Sequence, residues 1–144
     1  ERDLSQEFPG KFDFAILPDE MVLKDIGLGK FCDIKKLLGK LLQVKNLSRF
    51  PQHYEIRSIS MKTAGIGMEN GYEACPDPDF LTFDRSKFSL KRNKRARVKI
   101  YLDFPRREEY AGKKYLFVAR IRLLGEEFIL NRYLKIYVTT AREF

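Results

Sequence analysis

The side chains able to do chemistry are few: one histidine, two cysteines and no tryptophan. His53 is the only imidazole. Strand alternation from His53 to Met61 puts His53 and Ser58 on opposite faces. No Gly-x-Ser-x-Gly is present, so a nucleophilic triad has no local support. Cys32 and Cys75 lack the Cys-x-x-Cys spacing of zinc or redox sites. They form a candidate disulfide, whose closure would stabilise by roughly 3–4 kcal/mol in the chain-entropy account. If left free, each reads as a small buried apolar residue. Asp77, Asp79 and Asp84 gather with Glu73 around Pro76 and Pro78. Calcium wants roughly six to eight hard oxygens in a defined loop, and this spacing fits none. These aspartates read as turn residues that accept backbone hydrogen bonds. Gly27-Leu28-Gly29 and Gly65-Ile66-Gly67 are not followed by Lys-Ser/Thr, so neither is a phosphate loop. Glu108 and Glu109 are sequence neighbours and do not flank a substrate bond. No catalytic residue, cofactor or metal is assigned, and the reading is of a non-enzymatic module.

Binding chemistry is better represented. Lys and Arg number 28 against 20 Asp and Glu, a formal charge of +8. The charge is concentrated at Lys91, Arg92, Lys94, Arg95, Arg97 and Lys99. Arg120 and Arg122 extend this strip if their strands are neighbours. Such residues neutralise phosphates and release counterions, which makes them candidates for a polyanion. Tyr101 and Tyr137 are candidates for stacking bases. The other reading of the strip is a solvated basic surface. A second candidate site is the last strand, where Tyr133, Leu134, Ile136 and Tyr137 could form a sheet edge open to strand addition by a partner. Lys135 would guard such an edge against aggregation.

The elements that must position these residues read as strands. In Arg95 to Phe104 the apolar residues Ala96, Val98, Ile100, Leu102 and Phe104 alternate with Arg95, Arg97, Lys99, Tyr101 and Asp103. Period 2 over ten residues predicts a strand with one face in a core and one in water. The same pattern appears at Tyr115, Phe117, Ala119, Ile121 and Leu123, and at Leu134, Ile136 and Val138. Shorter strands are predicted at Phe12 to Ile16, Met21 to Leu23, around Leu42 to Asn46, from His53 to Met61, and at Phe80 to Phe83 and Phe88 to Leu90. Gly125-Glu126 is a tight-turn candidate. Residues 25–39 read as loop followed by strand. The other reading is a short helical turn capped by Asp33, running through Leu38 and ending at Gly39. Residues 62–79 form a long loop rich in Gly, Asn, Asp and Pro.

At 144 residues and 17.0 kDa, with 44% hydrophobic and 33% charged residues, the chain is long enough for a real core. The expected organisation is a flexible arm over residues 1–11 and one domain over 12–144. No apolar run reaches the roughly 18 residues of a membrane-spanning helix. Glu1-Arg2-Asp3-Leu4-Ser5 lacks the basic and apolar regions of a signal peptide, so a processed mature form or an excised fragment is expected. Core positions are predicted at Val44, Tyr54, Ile56, Val98, Ile100, Leu102, Phe117, Ile121, Leu134, Ile136 and Val138.

Several steps share an order with a known group. Asp25-Ile26-Gly27 precedes a strand that ends in Val44-Lys45-Asn46-Leu47-Ser48, and Pro51-Gln52-His53-Tyr54 opens the next. Phe88-Ser89-Leu90 then leads to a strand closing in Phe104-Pro105, and Tyr110-Ala111-Gly112-Lys113-Lys114-Tyr115 begins the penultimate one. Over roughly residues 12–139 this resembles the immunoglobulin-like domains related to PapD-type periplasmic chaperones. It is also similar to bacterial surface Ig-like modules and to major-sperm-protein-like domains. The resemblance implies an antiparallel Ig-like β-sandwich of seven to nine strands. The pilus chaperones carry a second sandwich where one is expected within these 144 residues, and their subunit-anchoring Arg and Lys have no matched position. The expected function is protein interaction or structure, within an exported or surface protein, through the 62–79 loop and a sheet edge. The expected setting is periplasmic, secreted or cell-surface, without membrane insertion. The alternative is binding of nucleic acid or an anionic glycopolymer through the basic strip. A third reading is an accessory domain of a glycan-active enzyme using exposed Tyr side chains.

Overall fold

The computed structural model describes residues 13–125 and 128–143. The arm expected over 1–11 lies outside them, as do Phe12 and the Glu126 half of the proposed turn. The chain runs through β1 (Phe14–Leu17), β2 (Glu20–Ile26), β3 (Phe31–Asp33), a one-turn helix α1 (Ile34–Leu38), β4 (Leu42–Asn46) and β5 (Gln52–Ile59). It continues through β6 (Glu73–Ala74), β7 (Leu81–Phe83), β8 (Lys87–Leu90), β9 (Arg95–Val98), β10 (Ile100–Asp103), β11 (Lys114–Leu124) and β12 (Ile129–Thr140). Single 3-10 turns occupy Pro78–Phe80 and Glu108–Tyr110.

Two layers enclose the core. One is the sheet β2-β12-β11-β5-β8, with β6 alongside the start of β11. The other contains β1-β4-β9 and β3-β10-β7. The all-β class inferred from alternation is thus the observed one. Every position named above as core is buried. The segmentation is finer than seven to nine strands because β3, β6 and β7 are only two or three residues long and two extended stretches are broken. The first breaks at the cis Leu17–Pro18 bond, with β1 pairing β4 and β2 pairing β12. The second keeps its alternating burial from Arg95 to Phe104 but changes partners at Lys99. There the Lys99 amide donates to Asp84 Oδ1 (2.9 Å), and the Asp84 amide donates to the Lys99 carbonyl (3.1 Å).

Residues 25–39 combine the two readings: after β2 ends at Ile26, a loop over 27–30 leads into β3, and the helical turn follows it. Asp33 Oδ1 accepts from the Lys35 amide, and Gly39 closes the turn at φ 71°. Gly39 suits that position because a left-handed φ costs glycine little.

Asn46 joins three connections. Its Nδ2 donates to the carbonyls of Leu90 (2.9 Å) and Phe50 (3.0 Å), and its Oδ1 accepts from the Ser48 amide (2.8 Å). Its amide donates to the Lys94 carbonyl and its carbonyl accepts from the Asn93 amide. The turn after β4 is thereby fastened to the β8–β9 crossover between layers.

Tyr54 fills the core between Phe88 (centroids 5.6 Å) and Phe14 (5.3 Å). Its hydroxyl is buried with no hydrogen-bond partner among the described residues. Burial, with Asp13 nearby, pushes its pKa upward. Deleting an unpartnered buried polar group removes a desolvation cost. Tyr54→Phe is therefore expected to leave stability unchanged or raise it by about 1 kcal/mol, read from the urea midpoint. A loss of that size would show that the hydroxyl is bonded.

Candidate functional site

The basic strip is divided by the fold. Arg95 and Arg97 stand on the outer face of β1-β4-β9, opposite Lys45 and Gln43 of β4. Arg95 Nη1 donates to Gln43 Oε1 (2.9 Å). Lys91, Arg92 and Lys94 are exposed in the β8–β9 crossover, and Lys99 is exposed at the partner switch. Arg120 and Arg122 lie on β11 in the other layer, facing away from the core, so they do not extend the strip. Arg120 Nη2 is 4.0 Å from Glu55, and its side chain is only 11% exposed. Desolvation, followed by the charge of Arg122, lowers the Arg120 pKa. Arg122 Nε donates to Asn131 Oδ1 (2.9 Å). Both strips share one local pattern, and only strand pairing separates them.

The sheet edge is also displaced from its expected residues. β11 pairs all of β12, from Ile129 opposite Leu124 to Thr139 opposite Lys114. On the other side, β2 begins pairing only at Lys135. Ile136 and Tyr137 are therefore flanked by strands on both sides, and Leu134 and Ile136 point into the core. Among the described residues, the stretch of β12 without a strand on that side is Ile129 to Leu134. Ile129 is 58% exposed and Tyr133 is 37% exposed. Arg132 reaches from this edge to Asp13 at 2.9 Å and lies over the Phe14 ring.

Part of the 62–79 loop covers its own sheet. Ala64, Ile66 and Tyr72 pack on a second apolar cluster of Ile59, Met61, Leu116, Val118 and Tyr137. Glu69 accepts from Lys135 Nζ (2.8 Å) and Tyr137 Oη (2.7 Å). These two hydrogen bonds, Lys135 first, hold the Glu69 carboxyl below its ordinary pKa. The bond to Glu69 pushes Tyr137 up to about 12. Tyr72 stands edge-on to Tyr137 (5.0 Å), with Lys114 Nζ over its ring at 4.6 Å. Tyr137 is thus engaged beneath the loop, which removes it from base stacking. Tyr101 pairs with the exposed ring of Phe31 at 4.9 Å. The sequence signal for this docking is the unbroken run Leu116-Phe117-Val118, since a strand apolar on both faces is covered on both.

The remaining candidates have local partners. Asp77 Oδ1 accepts from the Asp79 amide, and Asp84 from Lys99. His53 Nδ1 and Ser89 Oγ are 2.6 Å apart, whereas Ser58 Oγ donates to the Pro78 carbonyl. Cys32 and Cys75 are free thiols, so the candidate disulfide is not formed here. Cys75 is buried, with Sγ donating to the Asp77 carbonyl, and burial pushes its pKa up to about 11. Since the thiolate is the nucleophile, alkylation of Cys75 near pH 8 is expected to run about a hundredfold slower than for an unperturbed thiol. Mass spectrometry after timed iodoacetamide checks this; rapid labelling of native Cys75 contradicts the burial.

Open clefts lie among the described residues. One, of about 520 Å3, is lined by Lys113, Lys114 and Arg142 together with the carboxylates Asp25 and Glu143. Another, of about 460 Å3, is bounded by Lys35, Lys40 and Arg97 together with Gln43, and no carboxylate among the described residues lines it.

Scans by sequence match no protein family and no curated protein. Similarity appears in solved structures. The chain aligns with the ASH / PapD-like domain 7 of human CEP192 at a TM-score of 0.64 and 10% identity, covering 94% of this chain and 90% of that one. The E. coli chaperone DraB gives 0.60 and 12% identity, with 91% and 56% covered. The Salmonella enterica SafA pilin–SafB chaperone complex gives 0.58 and 11%, with 90% and 55% covered. This chain therefore spans just over half the length of the chaperone structures it matches. By fold, the chain is an all-β, PapD-like immunoglobulin-like sandwich.

Proposed function

We propose that this chain is a non-enzymatic protein-interaction module that accepts an extended segment of a partner along β12. The carrying observation is the half-paired last strand: β2 joins β12 only from Lys135 onward, leaving Ile129 to Leu134 unpaired on that side among the described residues. Free main-chain groups at a sheet edge supply affinity, and exposed side chains beside them supply selectivity. Ile129 and Tyr133 would provide that selectivity. Membership of the pilin–chaperone complex among the similar structures supports a protein partner. An extracytoplasmic setting belongs to the same proposal, on the strength of the chaperone likeness, and fractionation of the native cells reads it.

The test is photo-cross-linking in the cells that make the protein, with benzoylphenylalanine at Ile129, Tyr133 or Leu37. Adducts are expected at Ile129 and Tyr133 and not at Leu37, which is exposed on α1 away from this edge. Adducts confined to Leu37, or none at all, would overturn the edge as the binding surface.

A further inference from the structure

We propose that the cleft between β1, α1, β4 and β9 binds a phosphate monoester group. Lys35 comes from α1, Lys40 from the turn after it, Gln43 from β4 and Arg97 from β9. Four positions from three elements and a turn therefore line one cavity of about 460 Å3, within the usual range of small-ligand sites. Three carry positive charge, and among the described residues no Asp or Glu lines the cavity. Among the described residues, none of the three cations has a carboxylate partner within ion-pair distance. Gln43 spends its carbonyl on Arg95, so its amide NH2 remains to donate. Every charged side chain at this place is a donor, and the Gln43 amide adds another.

That donor set selects an anion, and its charge argues for a dianion. Arginine meets phosphate with a planar fork of N–H groups, and lysines add point charges. The opposing cleft shows the contrast, since its cations face Asp25 and Glu143. Arg95 and Lys45 stand beside the cavity on the same sheet face and raise the local potential further. Leu17, 63% exposed, and Pro18 form an apolar lip that suits the organic part of a monoester. The same chemistry is carried by free metabolites and by a phosphatidic acid headgroup. Pairing, not local pattern, builds the site: Arg97 faces Gln43 across the β4–β9 ladder.

The test is an amide NMR titration of the full chain with inorganic phosphate and glycerol 3-phosphate at constant low ionic strength. Saturable shifts are expected at Gly39, Lys40, Gln43 and Arg97. Arg97→Gln is expected to weaken them about tenfold or more, the loss of a charge-assisted fork. Arg122→Gln, on the opposite face, is expected to leave affinity unchanged. Arg97 is exposed, so its variant should keep the native spectrum. Flotation with vesicles of phosphatidic acid against phosphatidylcholine separates the sources. Arg97-dependent capture by phosphatidic acid assigns the lipid, and binding of glycerol 3-phosphate alone assigns a free ligand. Non-saturating shifts, or shifts unchanged by Arg97→Gln, overturn the proposal. Duplex DNA or heparin that shifts Lys91 to Lys94, with no monoester effect at Arg97, also overturns it, in favour of a polymer.

Discussion

Asn46→Leu is expected to lower the unfolding free energy by about 3–5 kcal/mol. Three groups lose their partner at once: the Ser48 amide and the carbonyls of Leu90 and Phe50. Asn46 and Ser48 are fully buried, so water does not replace the lost bonds without opening the turn. A buried polar group left unmade costs about 1–3 kcal/mol, and the apolar side chain returns only part of that sum. Urea denaturation of the two proteins reads the difference. Asn46→Asp is the sharper variant, because it keeps the size and the Oδ1 acceptor. It places a carboxylate against two carbonyls, and the loss is expected to be at least as large. Native-like stability in Asn46→Asp would show that the amide is not the donor.

The second large effect is expected at Phe104→Ala, about 3–5 kcal/mol. Phe104 is 1% exposed and stands at the centre of an aromatic group. Its ring centroid lies 5.6 Å from Phe80, 5.9 Å from Tyr115 and from Phe117, and 6.3 Å from Tyr110. Those partners come from the two 3-10 turns and from β11, so one ring joins three separate segments. Its carbonyl also accepts from the Gly29 amide at 2.7 Å. Truncation removes the transfer energy of the ring and leaves a cavity that these rigid neighbours fill poorly. Phe104→Leu keeps much of the volume and is expected to cost roughly 1–2 kcal/mol. Thermal and urea unfolding of both variants check the order. Equal small losses would mean that the aromatic group rearranges around the gap.

What could be read from the chain alone is what depends on near neighbours. A side chain's face is set by its parity along a strand, so Ala96 to Phe104 and Tyr115 to Leu123 declared their burial without knowledge of any partner. The helical turn at Ile34–Leu38 was visible as an alternative, through Asp33 and Gly39, but five residues carry too little propensity to outweigh a strand reading. The site residues depended on something else. Arg95 and Arg97 look like Arg120 and Arg122 in sequence, yet β9 pairs β4 while β11 pairs β5 and β12. Parity says which way a side chain points relative to its own sheet, not which layer that sheet belongs to. The partner is chosen by burial summed over both strands and by the loops that join them. That choice separated the arginines, brought Lys35, Lys40 and Arg97 to one cavity, folded Glu69 over Tyr137, and set β2 beside β12 only from Lys135 onward.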